Sequence, residues 1–149
     1  MTPSEIGCSL SHISVWTPRR SQAVAIFEDD VILAHEFSEK LAEFMRRVPE
    51  PWDILYLGYI DTGGLQPTDI PGVKRVTFVF GAYAYVLSQP GLDKVRSHLP
   101  VDRPLDNFLG KLTERGALTG YAPTRPLARQ IQFGGPRSDI SHSAHSPPN

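Results

Sequence analysis

Apolar residues along the chain change their period several times, and each change marks an element. Ile6, Leu10 and Ile13 recur at helical spacing behind a start signal. Thr2 and Glu5 make a T-x-x-E capping box, and Pro3 takes the first helical position. This predicts a helix ending at Trp16, with that apolar stripe as its buried face. Pro18, Arg19, Arg20 and Ser21 form a polar break. Ala23–Phe27 is apolar without alternation, which predicts a short strand buried on both faces. It stops abruptly at Glu28-Asp29-Asp30, and a second apolar patch, Val31–Leu33, follows. From Glu36 the period is helical again. Phe37, Leu41, Phe44, Met45 and Val48 share one face, and Glu36–Lys40 and Glu43–Arg47 are i,i+4 pairs on the other. Pro49 and Pro51 end this helix.

Trp52–Tyr59 reads as the next strand, and the turn-rich stretch Ile60–Gly72 as a loop. Val73–Phe80 and Ala82–Ser88 read as two strands with a bend at Gly81. Pro90–Leu99 predicts a short helix. Leu105, Phe108, Leu109 and Leu112 predict another, closed by Gly116. Weaker strand patterns follow at Leu118–Ala122 and Ala128–Phe133, and the end from Gly134 is polar. Apolar strands between helices predict an α/β fold in one domain, without internal repeats.

Composition narrows the classes. The chain has 149 residues, 40% hydrophobic and 21% charged, which is globular stock. Fifteen basic against sixteen acidic residues leave a formal charge of −1, which argues against a nucleic-acid partner. No apolar run approaches the roughly 18–20 residues that cross a bilayer, and the first ten residues lack the pattern of a signal peptide. Cys8 is the single cysteine. On that count an internal disulfide and a cysteine-based zinc site are excluded, and a reducing cytoplasm is expected.

Three consecutive carboxylates, Glu28, Asp29 and Asp30, directly after a strand are the sharpest chemical feature. Ligands of open α/β sheets bind beyond the carboxyl ends of strands. Adjacent carboxylates repel, and a hard divalent ion with oxygen ligands, Mg²⁺ or Mn²⁺, relieves that repulsion. Such an ion bridges a protein to a diphosphate. A solvated acidic turn ahead of a helix explains the same residues without a ligand.

Six segments in order change that balance: Glu5–His12, Ala25–Val31, Trp52–Gly58, Phe80–Ser88, Pro100–Asp102 and Ser138–Ser141. Together they resemble glycosyltransferase family 25, the lipooligosaccharide and collagen hydroxylysine galactosyltransferases. The resemblance runs from about Thr2 to about Ser141, so that residues 1–141 form the family-like domain and 142–149 a polar tail. It implies a GT-A-like (Rossmann-like) α/β fold, a mixed sheet flanked by helices. It also implies that this chain corresponds to the C-terminal portion of the family domain, an incomplete version without the opening strand-helix unit. The implied activity is metal-dependent transfer of a sugar, galactose first, from a UDP-sugar to a saccharide or glycolipid acceptor, with inversion. An enzyme of glycolipid assembly is expected in the cytoplasm, peripheral to the inner membrane. Carried over, Glu28, Asp29 and Asp30 become the metal and nucleotide-sugar site, with Asp30 the first choice.

Other residues carry alternatives side by side. Asp102 is the expected base that takes the acceptor hydroxyl's proton, and an N-cap explains it equally. Asp106 is the alternate base or a solvated helix residue. His142 could complete the metal site or sit in a polar tail beside His145. Gly7, Ser11 and His12 are candidates for nucleotide-sugar binding. Ser11 and His12 project about 100° apart on a helix, so they are not expected to face one ligand together. Gly7 would permit close packing or ligand approach. Gly81, Tyr83 and Asp139 are candidates for acceptor binding, Tyr83 by stacking, although alternating aromatics such as Tyr83 and Tyr85 are more often core. Cys8 reads as a small buried residue. Arg19 and Arg20 could approach a diphosphate or lie in a solvated loop. A rival reading is a non-catalytic remnant serving as a binding or scaffold module. A metal-dependent phosphohydrolase would need more scattered Asp and His ligands than the chain shows.

Overall fold

The computed structural model describes residues 1–18 and 22–131. Asp139 and His142, like Arg19 and Arg20, lie outside the described residues. Helix α1 (Pro3–Trp16) starts at the capping box, with the Glu5 N–H donating to Thr2 Oγ1 and the Thr2 N–H to Glu5 Oε2. Strand β1 (Val24–Phe27) leads to the acidic trio, and β2 (Val31–Leu33) follows it. Helix α2 (Phe37–Arg47) is succeeded by β3 (Ile54–Ile60), β4 (Leu65–Pro67), β5 (Val73–Val76) and β6 (Phe80–Leu87). Helices α3 (Gln89–Ser97) and α4 (Leu105–Glu114) precede β7 (Gly120–Pro123) and β8 (Ala128–Gln130).

Six strands form one mixed sheet in the order β1-β6-β3-β7-β5-β4. Only β3 and β7 run parallel; the other neighbours are antiparallel. Strands β2 and β8 make a separate antiparallel pair. Helices cover both faces. Ile54 and Tyr56 of β3 pack with Trp16, Leu92 and Leu109 of α1, α3 and α4. Leu55 and Leu57 pack on the other face with Phe44 and Val48 around α2. This explains why β3 is apolar at every position instead of alternating. The α/β architecture is the one expected.

Four local expectations are corrected. Helix α1 does not bury the Ile6–Leu10–Ile13 stripe: Leu10 is 61% exposed and Ile6 43%, while Ser9, His12 and Trp16 are buried. The less apolar face wins because Trp16 fills the core and polar partners wait there for His12. Strand β1 is not buried on both faces. It is the sheet edge, and only Ile26 of its four residues is buried. The turn-rich stretch 60–72 contains β4, a strand supported by pairing with β5 rather than by its own sequence. The break between the two later strands falls at residues 77–79, and β6 runs through Gly81.

Gly81 has a positive φ of 85°, and a Cβ there would lie 2.5 Å from Tyr83 Cε1. Gly58 lies against the opposite edge of the same ring, at Cε2. Gly81→Ala therefore combines left-handed strain with overpacking and is expected to cost about 2–4 kcal/mol. Urea denaturation reads this directly; an unchanged midpoint would contradict the packing described. Gly7, in contrast, has nothing within 4 Å of an added Cβ, so packing does not require a glycine there.

Among the described residues, no helix is long and apolar enough to cross a membrane.

Candidate active site

The acidic trio leaves the carboxyl end of edge strand β1, where the Glu28 N–H still donates to Tyr83 O (2.9 Å). The antiparallel β2–β8 pair then folds back, and the Ile131 N–H donates to Asp30 O (2.7 Å). Helix α1 lies alongside, held at its carboxyl end by Arg96 of α3, which donates to the carbonyls of Trp16 and Pro18. Between these parts is a cleft of about 420 Å³. Cys8, Ser11 and His12 line it from α1, Glu28, Asp29 and Asp30 from the strand end, and Val15, Ile26 and Phe27 form its apolar flank.

Ser11 and His12 thus border one cleft despite their angular separation, Ser11 exposed and His12 buried. The cleft is wide enough to meet two adjacent helix positions. Ser11 Oγ donates to Gly7 O (3.0 Å). His12 is fixed by a polar chain. Trp16 Nε1 can only donate, and it reaches Tyr85 Oη at 3.1 Å. The Tyr85 hydroxyl proton is then directed to His12 Nδ1 at 2.6 Å. That leaves His12 Nε2 protonated and aimed at Glu28 Oε1, 3.5 Å away. The imidazole also stacks on the Tyr85 ring. Burial and the neighbouring groups raise the Tyr85 hydroxyl well above its usual range, so it stays a proton donor.

The three carboxylates differ. Glu28 is tethered by His12 and by Gln130 Nε2, which donates at 3.3 Å. Asp29 is exposed. Asp30 accepts from Gln130 on one oxygen (3.4 Å), while its Oδ1 is buried and has no partner. Burial first, then the charges of Glu28 and Asp29, raise the Asp30 carboxyl above its ordinary value, against opposing bonds from its own backbone and Gln130. A buried, unpartnered carboxylate oxygen beside two further acids fits a hard cation. The Cys8 thiol, pushed up to about 12 by burial and by Glu28, stays protonated and donates to Glu28 Oε1 (3.6 Å).

Asp102 does not take the N-cap role, one of its two expected readings; the N-cap of α4 is Pro104. Its carboxylate is exposed, paired with Arg103 through two bonds of 2.7 and 2.8 Å, and it neither caps α4 nor lines the cleft. The Arg103 guanidinium lowers its carboxyl below the usual range. Asp106, in the first turn of α4, is half-buried, accepts from the Gly81 N–H (3.5 Å), and its charge is felt by Cys8. Tyr83 is only 5% exposed, with its ring edges against Gly58 and Gly81, so its face is not open for stacking on a sugar. Gly7 is exposed and is not among the residues lining the cleft. Sequence reasoning missed Gln130 altogether. It is 100 residues from Asp30 in the chain, and only the β2–β8 register, Val31 opposite Gln130, brings it in.

A six-stranded mixed sheet flanked by helices on both faces is consistent with a GT-A-like α/β fold. Residues 1–90 match the model of glycosyltransferase family 25 (LPS biosynthesis protein), and the chain belongs to that family. It is similar to the protein named inactive glycosyltransferase 25 family member 3 of Mus musculus, with 32% identity covering 77% of this chain and 21% of that protein. It is also similar to procollagen galactosyltransferase 2 of Homo sapiens, with 29% identity covering 81% of this chain and 21% of that protein. The chain spans about a fifth of the length of these curated relatives.

Proposed function

We propose that this chain carries the metal and donor-diphosphate portion of an inverting glycosyltransferase. The donor is a UDP-sugar, with galactose favoured by the name of the procollagen relative. The acceptor is a hydroxyl of a saccharide or glycolipid of the lipooligosaccharide type, in keeping with the family description. The observation that carries this reading is the unpartnered Asp30 Oδ1 in a cleft shared with Glu28 and Asp29. These three residues would hold Mg²⁺ or Mn²⁺, which supplies Lewis-acid stabilisation of the leaving diphosphate. His12, itself held by Tyr85, keeps Glu28 oriented, and Gln130 spaces Glu28 from Asp30. Asp106 is the group we assign to take the acceptor proton at its carboxylate as the new glycosidic bond forms. Asp102, bound to Arg103, is poorly placed for that role.

The test is thermal. At about 100 times its dissociation constant, a ligand adds about 2.7 kcal/mol to stability. UDP should raise the melting temperature with Mn²⁺ present and much less without it. A second reading, a binding module that kept the fold without catalysis, is favoured by the relatives named inactive. It predicts no shift with UDP under either condition.

A further inference from the structure

We propose that Cys8, His12 and Glu28 form a three-donor site for a borderline-soft divalent ion of the zinc class, which shares Glu28 with the hard-ion site proposed for the acidic trio but not Asp29 or Asp30. Counting cysteines along the sequence excluded this, because one cysteine cannot build a cysteine-rich site. The fold supplies the other donors instead. Cys8 and His12 sit one turn apart on α1 and project onto the same side. Glu28 meets them from the end of β1. Their three donor atoms lie within 4.8 Å of one another. Cys8 Sγ is 3.6 Å and His12 Nε2 3.5 Å from Glu28 Oε1. Neighbouring ligands of a tetrahedral zinc ion, at usual bond lengths, stand about 3.4–3.6 Å apart. The site needs little rearrangement to close on an ion.

Two further features belong to built metal sites. The His12 side chain is 6% exposed, and its remote nitrogen is already engaged by Tyr85 at 2.6 Å. That contact fixes the ring plane, as outer partners of metal-bound histidines do. The three donors also line the open cleft, which provides an entry path and a position for an exogenous fourth ligand. A sulfur, imidazole and carboxylate set favours zinc over magnesium or manganese, which prefer oxygen. On binding, the S–H proton between Sγ and Oε1 leaves to solvent, and the imidazole proton shifts from Nε2 to Nδ1, where it faces Tyr85 Oη and frees the Nε2 pair for the ion. The sulfur electron pair forms the bond to the ion, and nothing is oxidised or reduced.

Cobalt reports on this directly. Untagged, metal-free protein is titrated with Co²⁺ and its absorption followed. One equivalent should produce a thiolate-to-cobalt charge-transfer band in the near ultraviolet and intense tetrahedral bands in the visible, both bleached by Zn²⁺. Cys8→Ser, checked for folding by circular dichroism, should lose the charge-transfer band. It should also weaken zinc binding by more than the roughly 10–100-fold that loss of an outer partner causes. Asp30→Asn should keep the band. Failure of the transferase reading shows instead in UDP and Mn²⁺ melts and leaves the cobalt spectrum intact. Absence of the band in the native protein, its persistence in Cys8→Ser, or its loss in Asp30→Asn would each overturn the proposal. The native spectrum decides even if a variant does not fold.

Discussion

Asp30→Asn is expected to raise the melting temperature of the metal-free protein at neutral pH while abolishing the Mn²⁺-dependent gain from UDP. The two effects share one cause. Burial and the charges of Glu28 and Asp29 raise the Asp30 carboxyl in the folded state. The folded protein therefore holds that proton more tightly than the unfolded chain. The resulting stabilisation is complete below the ordinary aspartate range and is lost as pH rises through the raised folded value. At neutral pH the ionised group is a net burden that only a cation relieves. Asparagine removes the charge and the burden together. Its advantage should be greatest at neutral pH and should shrink as pH falls through the raised value toward the ordinary one. Melts of both proteins across that window, with and without Mn²⁺ and UDP, check each half. A variant that is less stable at neutral pH, or that keeps the metal-dependent UDP shift, would contradict the role given to Asp30.

Asp106→Asn is expected to lower kcat of sugar transfer by about 10²–10⁴-fold, the range for a lost general base. Donor affinity should stay near normal, because Asp106 is on α4 and not among the cleft-lining acids. Asp102→Asn should leave the rate close to that of the parent. It is exposed and paired with the half-exposed Arg103, and ion pairs at the surface contribute little. Steady-state kinetics on both variants separates the two acids. A large loss at Asp102 with none at Asp106 would reverse the assignment and restore the expectation drawn from the sequence.

The acidic trio was legible because it breaks an apolar run with three like charges, a pattern that local sequence displays in full. Helix α2 was legible for a similar reason. Its apolar face and its Glu43–Arg47 pair repeat at helical spacing; the pair is found, and so is the face apart from Met45, which is exposed. Helix α1 was harder. Its period located the helix correctly, yet hydrophobicity alone chose the wrong face. The buried side carries Ser9 and His12, which a periodicity argument ranks as outward-facing. Their burial is tolerable because Ser9 bonds to Glu5 O and His12 to Tyr85 and Glu28. Tyr85 and Glu28 are distant along the chain. The same limit hid Gln130, and the pairing of Asp102 with Arg103 was no more legible. Position beside a family motif said nothing about which carboxylate an arginine would claim.

Sequence by itself determined the α/β class, the main helices, the central apolar strand and the run of three acids that follows a strand. Each depends on neighbours within a turn or a strand, whose side-chain directions follow from backbone geometry alone. Tertiary structure decided which side of α1 faces the cleft, that β1 is an edge, that Tyr83 is locked between two glycines, and that Cys8, His12 and Glu28 converge. Those outcomes rest on contacts between elements far apart in the chain. Burial of a polar group becomes acceptable there only when folding delivers its partner.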